Sequence, residues 1–280
     1  MNTGDRDPAT VWTPPEAGGH VAGHARLAGR KILVVGAGSQ PCLDADAPPG
    51  NGRAIARLCA REGAKVACAD RDESAVRETA ARIEAEGHHA VVLVADVALE
   101  GACAQLVADA AHVLGGLDGI VVNVGIGLGR GLADTAVRDW DRTFTVNLRA
   151  HFLIAQAALP LLTTGASIVF VSSIAALLPG TGIPSYDASK AGLAGLCRHV
   201  AFEAARKGVR ANLVVPGLID TPMGRAASRG RPSRASTRVP LGRQGTAWEV
   251  GYATLFLLSN DSSYVTGQSL IVDGGLSALR

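Results

Sequence analysis

The stretch "VVGAGSQPCLDADAPPGNGRAIA", residues 34–56, decides the fold. It grows out of "KILVV" (31–35), a short aliphatic run that ends in glycines and so reads as a buried strand. It ends in residues with helical spacing, where Ile55, Leu58 and Cys59 share a face. Between them lie Gly36-Ala37-Gly38-Ser39 and Gly50-Asn51-Gly52, separated by the ten residues Gln40 to Pro49. Without those ten the chain reads "GAGSGNGRAIA", a compact glycine loop between a first strand and a first helix. In a doubly wound sheet such glycines make the tight turn, let the backbone approach a pyrophosphate, and let the helix pack on the strand. The helix N-terminus adds free N–H groups and the positive end of its dipole. The inserted residues carry prolines and aspartates, so they read as a surface excursion. The stretch is therefore a nucleotide loop with an insertion, expected as a lobe beside the adenosine end of a dinucleotide.

The rest of the chain repeats the strand-then-helix order. Strands are expected at 65–70, 89–97, 118–125, 167–173, 209–217 and 269–275. Helices are expected at 51–62, 72–86, 99–114, 137–162, 184–207 and 247–258. The strands are continuous apolar runs, so both faces of the sheet must be covered. The fold class is α/β: one Rossmann-type domain over 27–280, about seven parallel strands between two helical layers. Residues 1–26 hold Pro, Gly and Asp without an apolar core, and read as a flexible tail or an arm on a neighbouring subunit rather than a signal peptide.

Hydrophobic residues are 48% of the 280 and mean hydropathy is +0.21, so a sizeable core is available. Aromatics are 4%, which makes that core aliphatic. A net charge of +2 gives no footprint for nucleic acid. No run approaches the ~18 apolar residues of a membrane span. The five cysteines, 42, 59, 68, 103 and 197, form no metal or disulfide spacing and suit a reduced, cytoplasmic protein. No metal site is expected.

Asp70 ends the second strand, 18 residues past Gly52. A carboxylate there accepts from ribose hydroxyls and repels a 2′-phosphate, which favours NAD. Arg71 beside it could instead pair with that phosphate, leaving NADP open.

The segment "SSIAALLPGTGIPSYDASKAG" (172–192) carries the chemistry. Tyr186 and Lys190 are four apart and share a helix face. A phenol has a pKa near about 10, so proton exchange at neutral pH needs a nearby cation. Lowering that pKa by ~3 units takes about 4 kcal/mol. Ser173 ends a strand 13 residues earlier, where its hydroxyl could hold a substrate oxygen.

These residues resemble the short-chain dehydrogenase/reductase family over roughly residues 27–276. The resemblance implies that Asn147, in "TFTVNLRAHF", completes a tetrad with Ser173, Tyr186 and Lys190 by holding a relay water. It implies that Tyr186 is the general acid/base, that Lys190 lowers its pKa and bonds the nicotinamide ribose, and that Ser173 orients the reacting group. It places Asp96 and Val97 at the adenine, and Pro216, Gly217, Ile219 and Thr221 around the nicotinamide. The family's Asn-Asn-Ala-Gly is here Val122-Asn123-Val124-Gly125, so the local bonding of that turn is expected to loosen.

Substrate selection is expected in 222–246, a segment rich in arginine: 225, 229, 231, 234, 238 and 243. It reads as a solvated lid, or as a landing site for an anionic carrier through Arg229 and Arg231. Gly192 and Gly195 inside a helix suit a close neighbour, and the resemblance implies a homo-oligomer, a tetramer or dimer, paired there. The expected activity is interconversion of a small-molecule secondary alcohol and ketone. Reduction of 3-oxoacyl thioesters on coenzyme A or acyl-carrier protein is the alternative. A non-catalytic dinucleotide-binding regulator and an epimerase or dehydratase are the other classes; the tetrad disfavours the first, and the short stretch after Val272 disfavours the second.

Overall fold

The structure, a computed structural model, describes residues 13–42, 44, 46–229, 231 and 237–279. Residues 1–12 of the expected tail (1–26) and the lid residue Arg234 lie outside them. In chain order the strands are β1 (Lys31–Val35), β2 (Lys65–Asp70), β3 (Ala90–Val94), β4 (Leu117–Val122), β5 (Leu162–Val171), β6 (Arg210–Pro216), β7 (Ile219–Asp220), β8 (Gly245–Thr246) and β9 (Ser269–Val272). The helices are α1 (Pro15–Gly18), α2 (Asn51–Arg61), α3 (Glu73–Ala85), α4 (Ala102–Leu114), α5 (Gly131–Asp134), α6 (Val137–Phe144), α7 (Ala150–Ala158), α8 (Pro184–Ala204), α9 (Pro222–Ser228) and α10 (Ala247–Leu258).

Seven strands form one sheet in the order β3-β2-β1-β4-β5-β6-β9, every neighbouring pair parallel. This is the expected doubly wound sheet. Alternation along β1 divides the core in two. Leu33 and Val35 join the cluster that carries α4, α7 and α8, while Ile32 and Val34 join the cluster under α2, α3 and α10. Phe170 and Ile168 on β5, and Ile120 on β4, have no exposed surface. Burying each such side chain stabilises the fold by about 2–3 kcal/mol.

Helix ends follow local chemistry. The Asp72 carboxylate accepts from Ala75 N–H and starts α3. Thr246 and Glu249 form a reciprocal capping box that starts α10. In contrast, α2 begins at Gly50 with no side-chain cap, so its first N–H groups remain available to an anion.

The strand order reverses between β1 and β4, and the loops leaving their C-terminal ends meet there, where open α/β sheets bind ligands. Residues 13–26 run against the body of this same chain. A Cβ on Gly19 would lie 2.1 Å from the Trp248 ring, and Arg26 pairs with the buried Glu62 carboxylate at 2.7 Å. The expected helix 137–162 is α6 and α7 joined by a π turn at Thr145–Arg149, and it stops at 158. The lid segment 222–246, expected as loop, contains α9 and β8, which pairs in parallel with β7 just before the segment.

Candidate active site

The glycine loop folds as its residue types require. Gly36 turns the chain at φ +81°, and its N–H and that of Ala37 both donate to Ala69 O. A Cβ at Gly52 would sit 1.8 Å from Gly36 O, so only glycine lets α2 press this closely on the loop. Gly38 N–H donates to Asp70 Oδ2 at 2.9 Å, which plants the acid over the loop at the end of β2. Asp70 Oδ1 accepts from Asp72 N–H, and Arg71 is exposed beside it. Gly50 N–H donates to Ser39 Oγ at 2.9 Å and closes the neck of the insertion.

The turn after β4 is not loosened by its Val122. That side chain is fully buried in the sheet, and Asn123 takes over: its N–H donates to Val35 O and its Nδ2 to Gly36 O at 3.0 Å. Asp96 accepts from Ala98 N–H and pairs with Arg142 at 3.3 Å; Val97 is buried beneath it. Gly217 follows Pro216 and lies against Asp273, where a Cβ would come within 2.6 Å. Ile219 is buried, and Thr221 Oγ1 caps α9 by accepting from Gly224 N–H.

Tyr186 is half-buried on the first turn of α8, and Lys190, one turn on, is only 3% exposed. Lys190 Nζ lies 5.9 Å from the centre of the Tyr186 ring. It donates to Val171 O at the end of β5 at 3.0 Å and to Val124 O in the loop after β4 at 3.3 Å. Burial pushes its pKa down to about 7. Ser173, extended after β5, lines the same cavity as Tyr186 and accepts from Ala175 N–H at 3.2 Å. Asn147 sits on the π turn, fully buried. The extra residue of a π turn re-aims a side chain, which suits a functional site. Its Oδ1 accepts from Ile126 N–H, and its Nδ2 donates to Ile126 O and to Ser189 Oγ. The carboxamide therefore clamps the β4 loop to α8 directly.

The buried, unpartnered state of two site residues carried no signal in the sequence. Asn51 was expected only as part of the phosphate loop, yet its Oδ1 is buried without a partner and it lines a cavity of about 120 Å³ with Tyr186 and Lys190. An orphaned acceptor at an uncapped helix start is what a bound dinucleotide would satisfy, so the residues present fit that group. His151 is also fully buried, one turn beyond Asn147, and burial and the Lys190 charge hold its imidazole neutral. A second cavity, about 740 Å³, opens above Ser173 and Tyr186 with walls from Ile126, Leu178, Ile183 and Met223. Gln40, the first inserted residue, lines both cavities. The insertion thus reaches the catalytic end of the cleft rather than only the adenosine end.

Of the lid arginines, Arg225 pairs with Asp220, Asp44 and Asp46, Arg229 with Asp44, and Arg243 with Glu249. Arg229 is therefore already engaged by an acid, whereas Arg231 lines the larger cavity and donates to Thr181 O at 2.5 Å. No group of metal-ligating side chains occurs among the described residues, and no helix among them is long and apolar enough to cross a membrane.

A parallel doubly wound sheet, a glycine loop under an uncapped helix, and Ser173 after β5 beside Tyr186 and Lys190 on α8 define an oxidoreductase that uses a nicotinamide dinucleotide. Comparison with known proteins narrows that class. A family model described as enoyl-(acyl carrier protein) reductase matches residues 47–277, starting inside the insertion. The chain is 35% identical over 267 residues to the (3R)-3-hydroxyacyl-CoA dehydrogenase of Canis lupus familiaris, covering 91% of this chain and 99% of that protein. It is 36% identical over 255 residues to a 3-oxoacyl-(acyl-carrier-protein) reductase of Thermotoga maritima, covering 90% and 99%. A short-chain dehydrogenase/reductase structure from Burkholderia xenovorans superposes with a TM-score of 0.83 at 34% identity, covering 91% and 99%. A dehydrogenase structure from Agrobacterium tumefaciens with bound NADP gives 0.79 at 35% identity, covering 90% and 98%. The chain belongs to the short-chain dehydrogenase/reductase family. It is an NAD(P)-dependent oxidoreductase acting on CH–OH groups.

Proposed function

We propose that the protein interconverts a secondary alcohol and a ketone in the cavity above Tyr186, with NAD(H) as its dinucleotide. The observation that carries this reading is the state of Lys190: a buried cation with two carbonyl partners and no paired carboxylate among the described residues. Its charge is left to act on the phenol one turn away. In a dry site such a charge is worth far more than in water.

Ser39 and the backbone of Gly36, Gly38 and Gly50–Gly52 would hold the pyrophosphate, with Asn51 alongside. Asp70 would hold the adenosine ribose, and Asp96 and Val97 the adenine. Asn123, Gly125, Lys190, Pro216, Gly217, Ile219 and Thr221 would surround the nicotinamide and its ribose. When bound, the nicotinamide supplies or accepts the hydride. The Ser173 hydroxyl donates to the substrate oxygen and fixes its position. Tyr186 Oη gives its proton to that oxygen in reduction and takes one in oxidation. Lys190 stabilises the phenolate that remains. Asn147 acts as a positioning residue by keeping the Ile126 loop against α8.

Asp70 supports NAD over NADP, because a 2′-phosphate would meet a carboxylate already fixed by Gly38 and Asp72 N–H groups. The cavity walls suit an amphipathic ketone. Arg231 on the cavity supports the second reading, a 3-oxoacyl thioester whose carrier bears phosphate. A homo-oligomer paired through α8 is supported by Gly195, where a Cβ would meet nothing within 4 Å; Gly192 is already explained by Leu148 of the same chain. Five free cysteines, four of them buried, fit a reducing cytoplasm.

The test is to titrate NADH and NADPH separately by nicotinamide fluorescence, then assay the tighter one with cyclic ketones and with 3-oxoacyl thioesters. NADH should bind at least about tenfold more tightly, given one like-charge contact against the 2′-phosphate. Tighter NADPH would overturn the role of Asp70. Turnover of thioesters alone would select the second reading.

A further inference from the structure

The insertion is tied to the substrate lid by one guanidinium. Arg225, on α9, donates from Nε to Asp220 Oδ1 at 2.7 Å and from Nη2 to Asp220 Oδ2 at 3.0 Å. That bidentate pair uses one edge of the fork. The remaining Nη1 donates to Asp46 Oδ1 at 2.9 Å and to Asp44 Oδ2 at 3.2 Å. Arg229 adds a longer pairing to Asp44 at 3.8 Å. Asp44 also accepts from Cys42 Sγ–H, which orients its carboxylate within the insertion.

The position of this tie gives it meaning. The insertion leaves the chain at Ser39 and rejoins it at Gly50, which bond each other at the start of α2. Those are the groups that would face the pyrophosphate of a bound dinucleotide. Its middle is fastened to α9, whose N-cap Thr221 and first residues Pro222 and Met223 line the same cavity as Asn51, Tyr186 and Lys190. The contact therefore joins the phosphate side of the cleft to its nicotinamide side, across 181 residues of sequence. Asp44, Asp46 and Asp220 bring three carboxylates against the two guanidiniums of Arg225 and Arg229, so the cluster holds together by charge attraction.

We propose that Arg225, by clasping Asp44 and Asp46, holds the insertion over the path of the dinucleotide and sets how long the cofactor stays bound. Arg225 is here a positioning residue, acting through the inserted loop rather than on the reacting atoms. The proposal rests on the dinucleotide reading of the cleft and extends it to the kinetics of exchange. The pairs are partly exposed, so salt must weaken them.

The experiment measures release of NADH, or of NADPH if that binds tighter, by stopped-flow displacement with excess NAD(P)⁺. The parent protein, Arg225→Gln, Asp44→Asn/Asp46→Asn and the combination of all three are compared. Ligand-free melting curves are recorded alongside. Each variant should release the dinucleotide about tenfold faster, and the combination little faster than either, since one contact is lost in all three. Raising salt should speed release from the parent and leave the combined variant nearly unchanged. If Arg225→Gln melts early, the aspartate pair decides alone, because it leaves Arg225 on Asp220. Release rates within twofold of the parent overturn the clasp while leaving the dinucleotide reading intact. A parent protein that binds neither dinucleotide overturns both.

Discussion

Lys190 and Arg225 are both cations at the C-terminal edge of the sheet, and the chain treats them in opposite ways. Lys190 is buried, bonded only to main-chain carbonyls, and its pKa is pushed down to about 7. Arg225 is a quarter exposed, has three carboxylates around it, and its pKa is raised by them. A compensated charge can fasten one segment to another but has little field left to offer. A charge without a carboxylate partner in a dry site costs the folded state and, while it is protonated, acts strongly on a neighbouring phenol. The contrast separates the residue that serves the proton transfer from the one that serves the architecture around it.

The harshest way to break the comparison is to remove the uncompensated charge. Lys190→Met keeps the length of the side chain and deletes the cation. It should lower kcat/KM by about 10³ or more, within the range of a lost acid–base system. The pH–rate profile should also move, with the Tyr186 limb displaced upward. Retention of a tenth of the parent activity would show that another group sets the phenol.

The same variant makes an opposite statement about stability. In the folded protein Lys190 loses its proton near pH 7, and in the unfolded chain near about 10.4. Between those values the unfolded chain holds the extra proton, so parent stability rises with pH across this window. Below pH 7 the folded state carries the full cost of the buried ammonium, with a ceiling of about 5 kcal/mol from the shift itself. Leaving Val124 O and Val171 O without a donor offsets part of that. The melting-temperature difference, variant minus parent, should therefore be most positive near pH 7 and shrink steadily towards pH 10. A difference that does not change with pH would mean the lysine is not strained by burial.

The two cations also differ in how far the sequence reveals them. Tyr186-x-x-x-Lys190 is a local spacing, and helical periodicity puts the pair on one face without any tertiary knowledge. The same holds for Gly36, Gly52 and Asp70, each at a strand or helix end that the apolar runs fix. Arg225 sits among five other lid arginines, and no local pattern picks it out. Its partners are contributed by an insertion 181 residues away, and only the tertiary fold, which brings the loops after β1 and β6 to the same end of one parallel sheet, makes them neighbours. Asn147 lay between these cases. Its place on a helix was readable, but the π turn that swings its carboxamide onto Ile126 and Ser189 depends on packing against α8. The orphaned Asn51 oxygen and the neutral His151 had no signal at all, because a missing partner is a property of the finished fold.

The gentlest test sharpens the other side of the comparison. Arg225→Gln removes a cation that carries four hydrogen bonds, against two for Lys190. Counting contacts would rank it as the more damaging change. Physical reasoning ranks it as the milder one for stability. Its carboxylates are 39–82% exposed, so water replaces the guanidinium readily, and exposed pairs contribute little. The hydrophobic clusters do not include α9, so no core is opened. Its melting temperature should fall by about 3 °C or less in a chain of this size. The fall should vanish at high salt, where the parent loses the same pairs. A large, salt-independent loss would place Arg225 with the residues that hold the fold, and the division of labour between the two cations would fail on the architectural side.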